Sequence, residues 1–201
     1  HFVEDLGIAI VQPNVRGSSG YGKTFLALDN GTKREDAVKD IGALLDWIKA
    51  QPDLDASRVM VQGGSYGGYL ALSVAVNYND RIRAAISDCG MSNLASFLDH
   101  TDGWTRDLQR GEFGDERDPK IRAFLEKIAP LNHAEKIKTP LLIIQGKNDP
   151  RVPAAESEAV LQAAKKNGVQ VWHLLAKDEG HGFAKRANWE FRLYSIILFA
   201  Q

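Results

Sequence analysis

A serine enclosed by glycines is the residue of this chain whose surroundings most clearly predict chemistry. Residues 63–67 read Gly-Gly-Ser-Tyr-Gly, and the pattern G-x-S-x-G is typical of a sharp turn from a strand into a helix. Such a turn holds the central serine, here Ser65, in strained backbone geometry with its hydroxyl exposed. We expect glycine to be needed at positions 63 and 67, because a side chain at either would collide with neighbouring backbone.

The segments on either side of this motif supply the strand and the helix that it requires. Residues 58–62 form a short apolar run that suits a strand buried on both faces. Residues 69–76 are apolar nearly all round, as expected of a helix packed beneath a sheet. A glycine-rich turn without chemistry would have the same local pattern, so a catalytic interpretation needs partner residues elsewhere in the chain.

Two residues far along the chain are suited to activate the serine hydroxyl, which is a weak nucleophile without a base. Imidazole fits this role because its pKa lies near neutrality, but a third group must hold its tautomer. Asp149 follows a predicted buried strand over residues 140–146, and His181 follows one over residues 169–175. The carboxyl ends of parallel strands meet at one edge of a sheet, where Ser65 must also emerge. The sequence therefore predicts a Ser-Asp-His catalytic triad.

Other ionisable residues of the chain are alternatives to these. Asp88 also ends a predicted strand, residues 83–87, and is the alternative acid; Asp149 is favoured because its strand lies nearer the His181 loop. The remaining histidines are interpreted as structural or exposed: His1, His100, His133 and His173. The single cysteine, Cys89, is interpreted as a small buried hydrophobe. No pair of His, Cys or carboxylate residues has metal-ligand spacing, so we predict no metal. We expect no cofactor either.

A tetrahedral intermediate at Ser65 would need hydrogen-bond donors for its oxyanion. The backbone N–H of Tyr66, the residue after the nucleophile, is the expected first donor. The usual second donor comes from a loop between the third strand and the first helix, which would lie upstream of His1. Since losing one donor costs on the order of 100- to 1,000-fold in rate, we expect the 201-residue chain alone to be nearly inactive.

Strand-like and helix-like segments alternate along the chain, which predicts an α/β fold: a mostly parallel sheet with helices on both faces. The first predicted strand is residues 8–12, and an apolar stripe between residues 37 and 48 predicts a helix. Residues 154–166 and 188–200 predict two further helices. Residues 91–138 are polar and charged, and we interpret them as an insertion of short helices within one domain, residues 1–201.

Composition excludes some classes of partner. With 44% apolar and 25% charged residues the chain is ordinary for a globular protein. A net charge of −1 argues against nucleic acid or an anionic membrane surface, since neither would gain from counterion release. No apolar run approaches the roughly 18 residues of a membrane span. Cellular compartment and oligomeric state stay open.

Four motifs in order resemble the catalytic domain of the prolyl oligopeptidase family of serine peptidases. They are Arg-Gly-Ser-Ser-Gly-Tyr-Gly at 16–22, Gly-Gly-Ser-Tyr-Gly-Gly at 63–68, Gly-Lys-Asn-Asp-Pro-Arg-Val-Pro at 146–153 and Asp-Glu-Gly-His-Gly-Phe at 178–183. The resemblance implies an α/β-hydrolase fold with Ser65, Asp149 and His181 at the triad positions and Tyr66 at the backbone oxyanion donor. It also implies short peptides as substrates and a β-propeller of the same polypeptide upstream of His1, together with N-terminal strands of the sheet.

Within the family, Tyr66 and the loop over residues 16–22 resemble acylaminoacyl-peptidases and dipeptidyl-peptidases more than prolyl oligopeptidase itself. Aromatic and apolar residues of the 91–138 segment are candidates for the substrate pocket, or else for a local core: Phe97, Leu98, Trp104 and Phe113. The leading hypothesis is hydrolysis of short peptides through an acyl-enzyme. A carboxylesterase on the same scaffold is the alternative enzyme, and a catalytically inactive binding module is the alternative of another class.

Overall fold

The computed structural model describes residues 1–201 and has an α/β architecture built on one sheet. The sheet contains four parallel strands in the order β1-β2-β3-β4. The strands are β1 Met60–Gly64, β2 Ala84–Asp88, β3 Leu141–Gly146 and β4 Val171–Ala176. Because all four run in the same direction, their carboxyl ends lie along one edge. Each strand lies within two residues of the predicted one at either end.

Helices connect the strands, as the sequence predicted for a parallel sheet. They are α1 Lys23–Leu26, α2 Glu35–Lys49, α3 Tyr66–Asn77, α4 Leu94–His100, α5 Gly103–Phe113, α6 Pro119–Ile128, α7 Ala154–Lys166 and α8 Arg186–Ala200. Short 3-10 turns occupy Gly31–Lys33, Ala56–Arg58, Asn79–Arg81 and Pro130–Lys136. None of these helices combines the length and the apolar character needed to cross a bilayer.

Side chains alternate along the central strands, so that apolar residues lie on both faces of the sheet. Ala85, Leu141 and Ile143 point to one face, where they form a core with apolar residues of α2, α3 and α7. Their neighbours Ile86 and Leu142 point to the other face and pack with α8. Helices therefore lie on both faces, as predicted, because a strand buried on both sides needs an apolar partner on each.

The polar segment after β2 forms three short helices, each begun by a side-chain cap. Asn93 accepts hydrogen bonds from the amides of Ala95 and Ser96 at the start of α4. Asp102 and Asp118 cap α5 and α6 in the same way. A capping oxygen satisfies amides that the first turn leaves without an acceptor. The apolar faces of these helices pack against Tyr69 of α3 in a second core.

The strand predicted over residues 8–12 is wrong. These residues have no regular secondary structure, are largely exposed and pair with no strand. Ile10 is 58% exposed, so the apolar run does not contribute to the core. A strand is stabilised only by its neighbours, and the one strand that β1 pairs with is β2.

Candidate active site

Ser65 occupies the sharp turn between β1 and α3 that the motif predicted. Its backbone dihedrals are φ 55° and ψ −120°, a combination that non-glycine residues rarely adopt. The Ser65 amide donates to the carbonyl of Asp88 at 2.8 Å, which ties the turn to the end of β2. The Ser65 carbonyl accepts from the amides of Gly68 and Tyr69 at the start of α3. The strain is thus maintained by backbone bonds on both sides.

Close backbone approach explains two of the glycines, and one prediction about them is wrong. A Cβ at Gly63 would lie 2.1 Å from the carbonyl oxygen of Gly67, and one at Gly68 would lie 2.6 Å from the Cα of Gly90. At Gly67, by contrast, nothing lies within 4 Å of the added carbon. The collision expected at position 67 is therefore absent, and the close approach in this turn is between the Gly67 carbonyl and a side chain at position 63.

Asp149 and His181 are joined by a hydrogen bond of 2.7 Å between Asp149 Oδ2 and His181 Nδ1. Asp149 Oδ1 accepts from the amides of Arg151 and Val152, each at 2.9 Å. The Asp149 side chain is fully buried at 0% exposure, whereas the His181 side chain is 18% exposed. Burial acts to raise the pKa of Asp149, but the hydrogen bonds from His181, Val152 and Arg151 outweigh it, so the pKa is lowered.

Asp88, the alternative acid, has a different partner. Its carboxylate pairs with the guanidinium of Arg192 on α8, and it makes no hydrogen bond to an imidazole. Asp149, and not Asp88, is therefore the aspartate that is hydrogen-bonded to His181. The other histidines lie away from this pair: His1, His100 and His133 bond to nearby groups at the surface, and His173 lies in β4.

Ser65 lies at the same edge of the sheet, but its hydroxyl makes no hydrogen bond to His181. The end of β2 contacts both parts of the site. The Asp88 carbonyl accepts a hydrogen bond from the Ser65 amide, and the next residue, Cys89, lies close to Asp149 and His181. The Cys89 Sγ, a ring nitrogen of His181 and a carboxylate oxygen of Asp149 lie within 4.8 Å of one another. Catalytic hydrogen bonds are often long in ligand-free structures and tighten with substrate bound.

Tyr66, the predicted oxyanion donor, is the first residue of α3, so its amide has no acceptor within the helix. Its ring is fixed between aromatic neighbours, 5.7 Å from both the Tyr69 and the Phe113 ring centroids. Its hydroxyl donates to Asp29 Oδ2 at 3.2 Å. The residue after the serine is therefore anchored through its side chain.

A buried arginine completes the anchor of Tyr66, and sequence reasoning missed it. Arg34 is 2% exposed and lies over the Tyr66 and Phe113 rings, 5.1 and 4.8 Å from their centroids. It donates to Asp29 Oδ2 at 2.6 Å and to the Glu112 carbonyl at 2.7 Å. Arg34 lies in a run of charged residues at the start of α2, where the sequence alone suggests solvent exposure.

A cavity of about 170 Å³ opens beside Ser65 and Tyr66. Of the pocket candidates in the polar segment, Phe97, Trp104 and Phe113 line it, together with apolar residues that include Met91, Leu108 and Val152. Leu98 does not line it and lies instead in the second core. Arg151 is the only charged residue of the lining, so the cavity is suited to an uncharged side chain.

Similar proteins were found by sequence. The prolyl oligopeptidase family profile matches residues 1–200. Dipeptidyl aminopeptidase BIII of Pseudoxanthomonas mexicana is 35% identical over 185 residues, which cover 90% of this chain and 27% of that protein. The acylamino-acid-releasing enzyme of Homo sapiens is 29% identical over 185 residues, 90% of this chain and 25% of the enzyme. The chain thus spans about a quarter of the length of these relatives.

Solved structures agree with the sequence matches. The acylaminoacyl peptidase of Pyrococcus horikoshii superposes with a TM-score of 0.80 at 26% identity, over 93% of this chain and 30% of that one. The motifs, the strained Ser65 and the Asp149–His181 bond lie within the matched residues 1–200. The chain belongs to the prolyl oligopeptidase family of serine peptidases and has the α/β-hydrolase fold of its solved relatives.

Proposed function

We propose that this chain carries the catalytic machinery of a peptidase that cleaves short peptides through an acyl-enzyme. Ser65 is the nucleophile, His181 the general base and Asp149 the group that holds the imidazole tautomer. The observation that carries the proposal is the 2.7 Å bond between buried Asp149 and His181 Nδ1. With its Nδ1 proton held by the carboxylate, the ring directs the Nε2 lone pair away from Asp149, ready to accept a proton.

The reaction follows from these positions. The Ser65 Oγ attacks the carbonyl carbon of the scissile bond while its proton passes to His181 Nε2. The developing oxyanion takes a hydrogen bond from the Tyr66 amide. His181 then returns the proton to the leaving amine, and the C–N bond breaks to leave an ester on Ser65. Water, deprotonated by His181, hydrolyses that ester and restores the serine.

The cavity beside Ser65 indicates which side chain precedes the cleaved bond. Its walls are mostly apolar and aromatic, and Phe97 and Phe113 contact each other edge to face at 6.2 Å. Desolvating a charged side chain against these apolar walls would be costly, and a cationic one would in addition be repelled by Arg151. We therefore expect an uncharged, apolar residue at this position of the substrate. Arg151 at the lining is available to hold a substrate carbonyl or carboxylate.

The family relationship extends the proposal beyond this chain. The relatives are a dipeptidyl aminopeptidase and acylamino-acid-releasing enzymes, and we propose that this protein acts on peptide N-termini in one of these two ways. A β-propeller of the same polypeptide would restrict the substrates to short peptides. This part of the proposal is supported by the resemblance of the motifs.

Labelling with a fluorophosphonate tests the nucleophile directly. In the whole protein, as opposed to this chain alone, we expect one phosphonate on Ser65, no label in Ser65→Ala, and full label in Ser57→Ala, whose hydroxyl lies on an exposed turn. A set of peptide anilides with blocked and free N-termini, compared with simple esters, tests the substrate. Cleavage of esters without any peptide would contradict the peptidase assignment, and equal labelling of Ser65→Ala would contradict the mechanism.

A further inference from the structure

Cys89 lies against the Asp149–His181 pair, and the proposed reaction gives it no role. Its Sγ, a carboxylate oxygen of Asp149 and a ring nitrogen of His181 are mutually within 4.8 Å. Cys89 is 3% exposed and follows β2 with a positive φ of 47°. Ser65 and Phe183 are the other non-glycine residues of the chain with positive φ. Residues with strained backbone geometry cluster at functional sites, and Cys89 lies directly beside the groups proposed to react.

We propose that Cys89, Asp149 and His181 form an inhibitory binding site for a thiophilic divalent cation, Zn²⁺ in the first instance. Its effect on catalysis rests on the proposed function, whereas the binding of the metal does not. The three ligands are a thiolate, a carboxylate and an imidazole, all of which bind zinc in proteins. The thiolate and the carboxylate together balance the charge of the cation, so the buried site carries no net charge.

The geometry requires only small movements. Zinc lies about 2.0–2.3 Å from such ligands, so tetrahedral ligand atoms are about 3.3–3.7 Å apart. The Asp149–His181 contact of 2.7 Å must widen slightly, and the Cys89 Sγ must approach from within 4.8 Å. His181 lies between Gly180 and Gly182 and is 18% exposed, which gives the ring room to shift and the ion a way in. Water fills the fourth position.

Bound metal would remove the general base whichever ring nitrogen it takes. On Nε2, the cation occupies the lone pair that must accept the Ser65 proton. On Nδ1, it breaks the bond to Asp149, and the neutral ring then carries its proton on Nε2. The Cys89 thiol proton passes to solvent as the thiolate binds. In both cases we expect the bound metal to lower kcat. A high substrate concentration does not relieve this inhibition, because substrate at Ser65 does not displace the metal from its ligands.

Cobalt spectroscopy tests the site without any reference to activity. Co²⁺ replaces zinc at such sites, and a thiolate ligand gives it a charge-transfer band in the near ultraviolet. Because the chain contains one cysteine, such a band can only report Cys89. We expect the band on adding Co²⁺ to the chain, its loss on adding Zn²⁺, and its absence in Cys89→Ser. Ser65→Ala, which lacks the nucleophile but no ligand, keeps the band.

Variants at the other ligands complete the test. His181→Ala is expected to weaken Co²⁺ binding at least tenfold, whereas His133→Ala, which removes an exposed histidine, leaves it unchanged. In the active protein, Zn²⁺ inhibits the wild type at concentrations at least tenfold below those needed for Cys89→Ser. No thiolate band at saturating Co²⁺ in the folded wild type would overturn the proposal, and so would equal Zn²⁺ inhibition of wild type and Cys89→Ser. A Co²⁺ band together with no fluorophosphonate labelling of the whole protein would refute the proposed function alone.

Discussion

Replacing Asp149 by asparagine separates the role of its charge from the role of its shape. The amides of Arg151 and Val152 donate to Oδ1 at 2.9 Å, and an asparagine carbonyl can accept both. The substituted nitrogen then faces His181 Nδ1, where Oδ2 now accepts at 2.7 Å. Two donors cannot share that contact, so the ring must place its proton on Nε2 and offer Nδ1 as the acceptor. The loop at Asp149 therefore keeps its hydrogen bonds, whereas His181 can no longer accept the Ser65 proton on Nε2.

The size of the effect follows from this tautomer. A triad whose aspartate is replaced by asparagine, with its geometry intact, loses about 10⁴-fold in kcat. At about 1.36 kcal/mol for each factor of ten, this is roughly 5.4 kcal/mol of transition-state stabilisation. Folding should suffer less, because the loss is one charge-assisted hydrogen bond, worth about 1.5–3 kcal/mol. Activity and stability therefore fall by clearly different amounts.

Asp88→Asn is the matched control, because Asp88 is also a buried aspartate at a strand end but pairs with Arg192. Rates of fluorophosphonate labelling and of peptide anilide cleavage are measured for both variants of the whole protein, with unfolding followed by circular dichroism. We expect Asp88→Asn to reduce the rate less than tenfold while lowering stability. A larger rate loss in Asp88→Asn than in Asp149→Asn would refute the assignment of the acid.

The pH dependence of stability gives a second readout for the same variant. The pKa of Asp149 is lower in the folded chain than its ordinary value, so the unfolded chain binds the proton more readily. The carboxylate then contributes stability that is fully present above its unfolded pKa of about 3.9 and is lost as pH falls through the folded pKa. The difference in free energy of unfolding between wild type and Asp149→Asn should be constant near neutrality and shrink below about pH 4.

Two further substitutions test the structure that supports the site. Gly63→Ala places a carbon 2.1 Å from the Gly67 carbonyl oxygen and should lower the free energy of unfolding by about 3 kcal/mol or more. The control Gly67→Ala has open space at its Cβ and should not lower the free energy of unfolding. Equal losses in the two variants would contradict the turn geometry. Arg34→Met leaves buried Asp29 without its cation and should cost about 3–5 kcal/mol and slow the labelling of Ser65. The matched control Arg117→Met breaks an exposed pair with Asp115 and should change neither property appreciably, so comparable effects of the two variants would contradict the anchoring role of Arg34.

Local pattern was sufficient for the four strands of the sheet, for helices such as α7, and for the order of the candidate residues. Helix α7 has the bounds 154–166 that its charge order predicted, with Glu156 in its first turn and Gly168 after its end. The Ser65 motif predicted the strained turn. Glycine is required at position 63 because a side chain there would collide with the Gly67 carbonyl. The same reasoning failed for residues 8–12, since an apolar run becomes a strand only where a neighbouring strand is available.

Contacts between distant segments were decided by the tertiary structure. Asp88 and Asp149 both end buried strands, and the sequence left both open as the acid; the pairing of Asp88 with Arg192, 104 residues further along the chain, separates them. Arg34 is buried only because Tyr66, Phe113 and Asp29 converge on it. Cys89 meets Asp149 and His181 because three parallel strands end at one edge. Metal-ligand spacing within one segment cannot reveal such a cluster.

The sequence by itself determined which residues are candidates for chemistry and which strands and turns hold them, because backbone sterics and hydrophobic periodicity act over a few residues. It therefore gave the serine in its strained turn, and an aspartate and a histidine after buried strands. Only the tertiary structure decided which acid meets which base, which arginine is buried and where the thiol lies. These depend on strand order and helix packing, which bring together residues that are far apart in the chain.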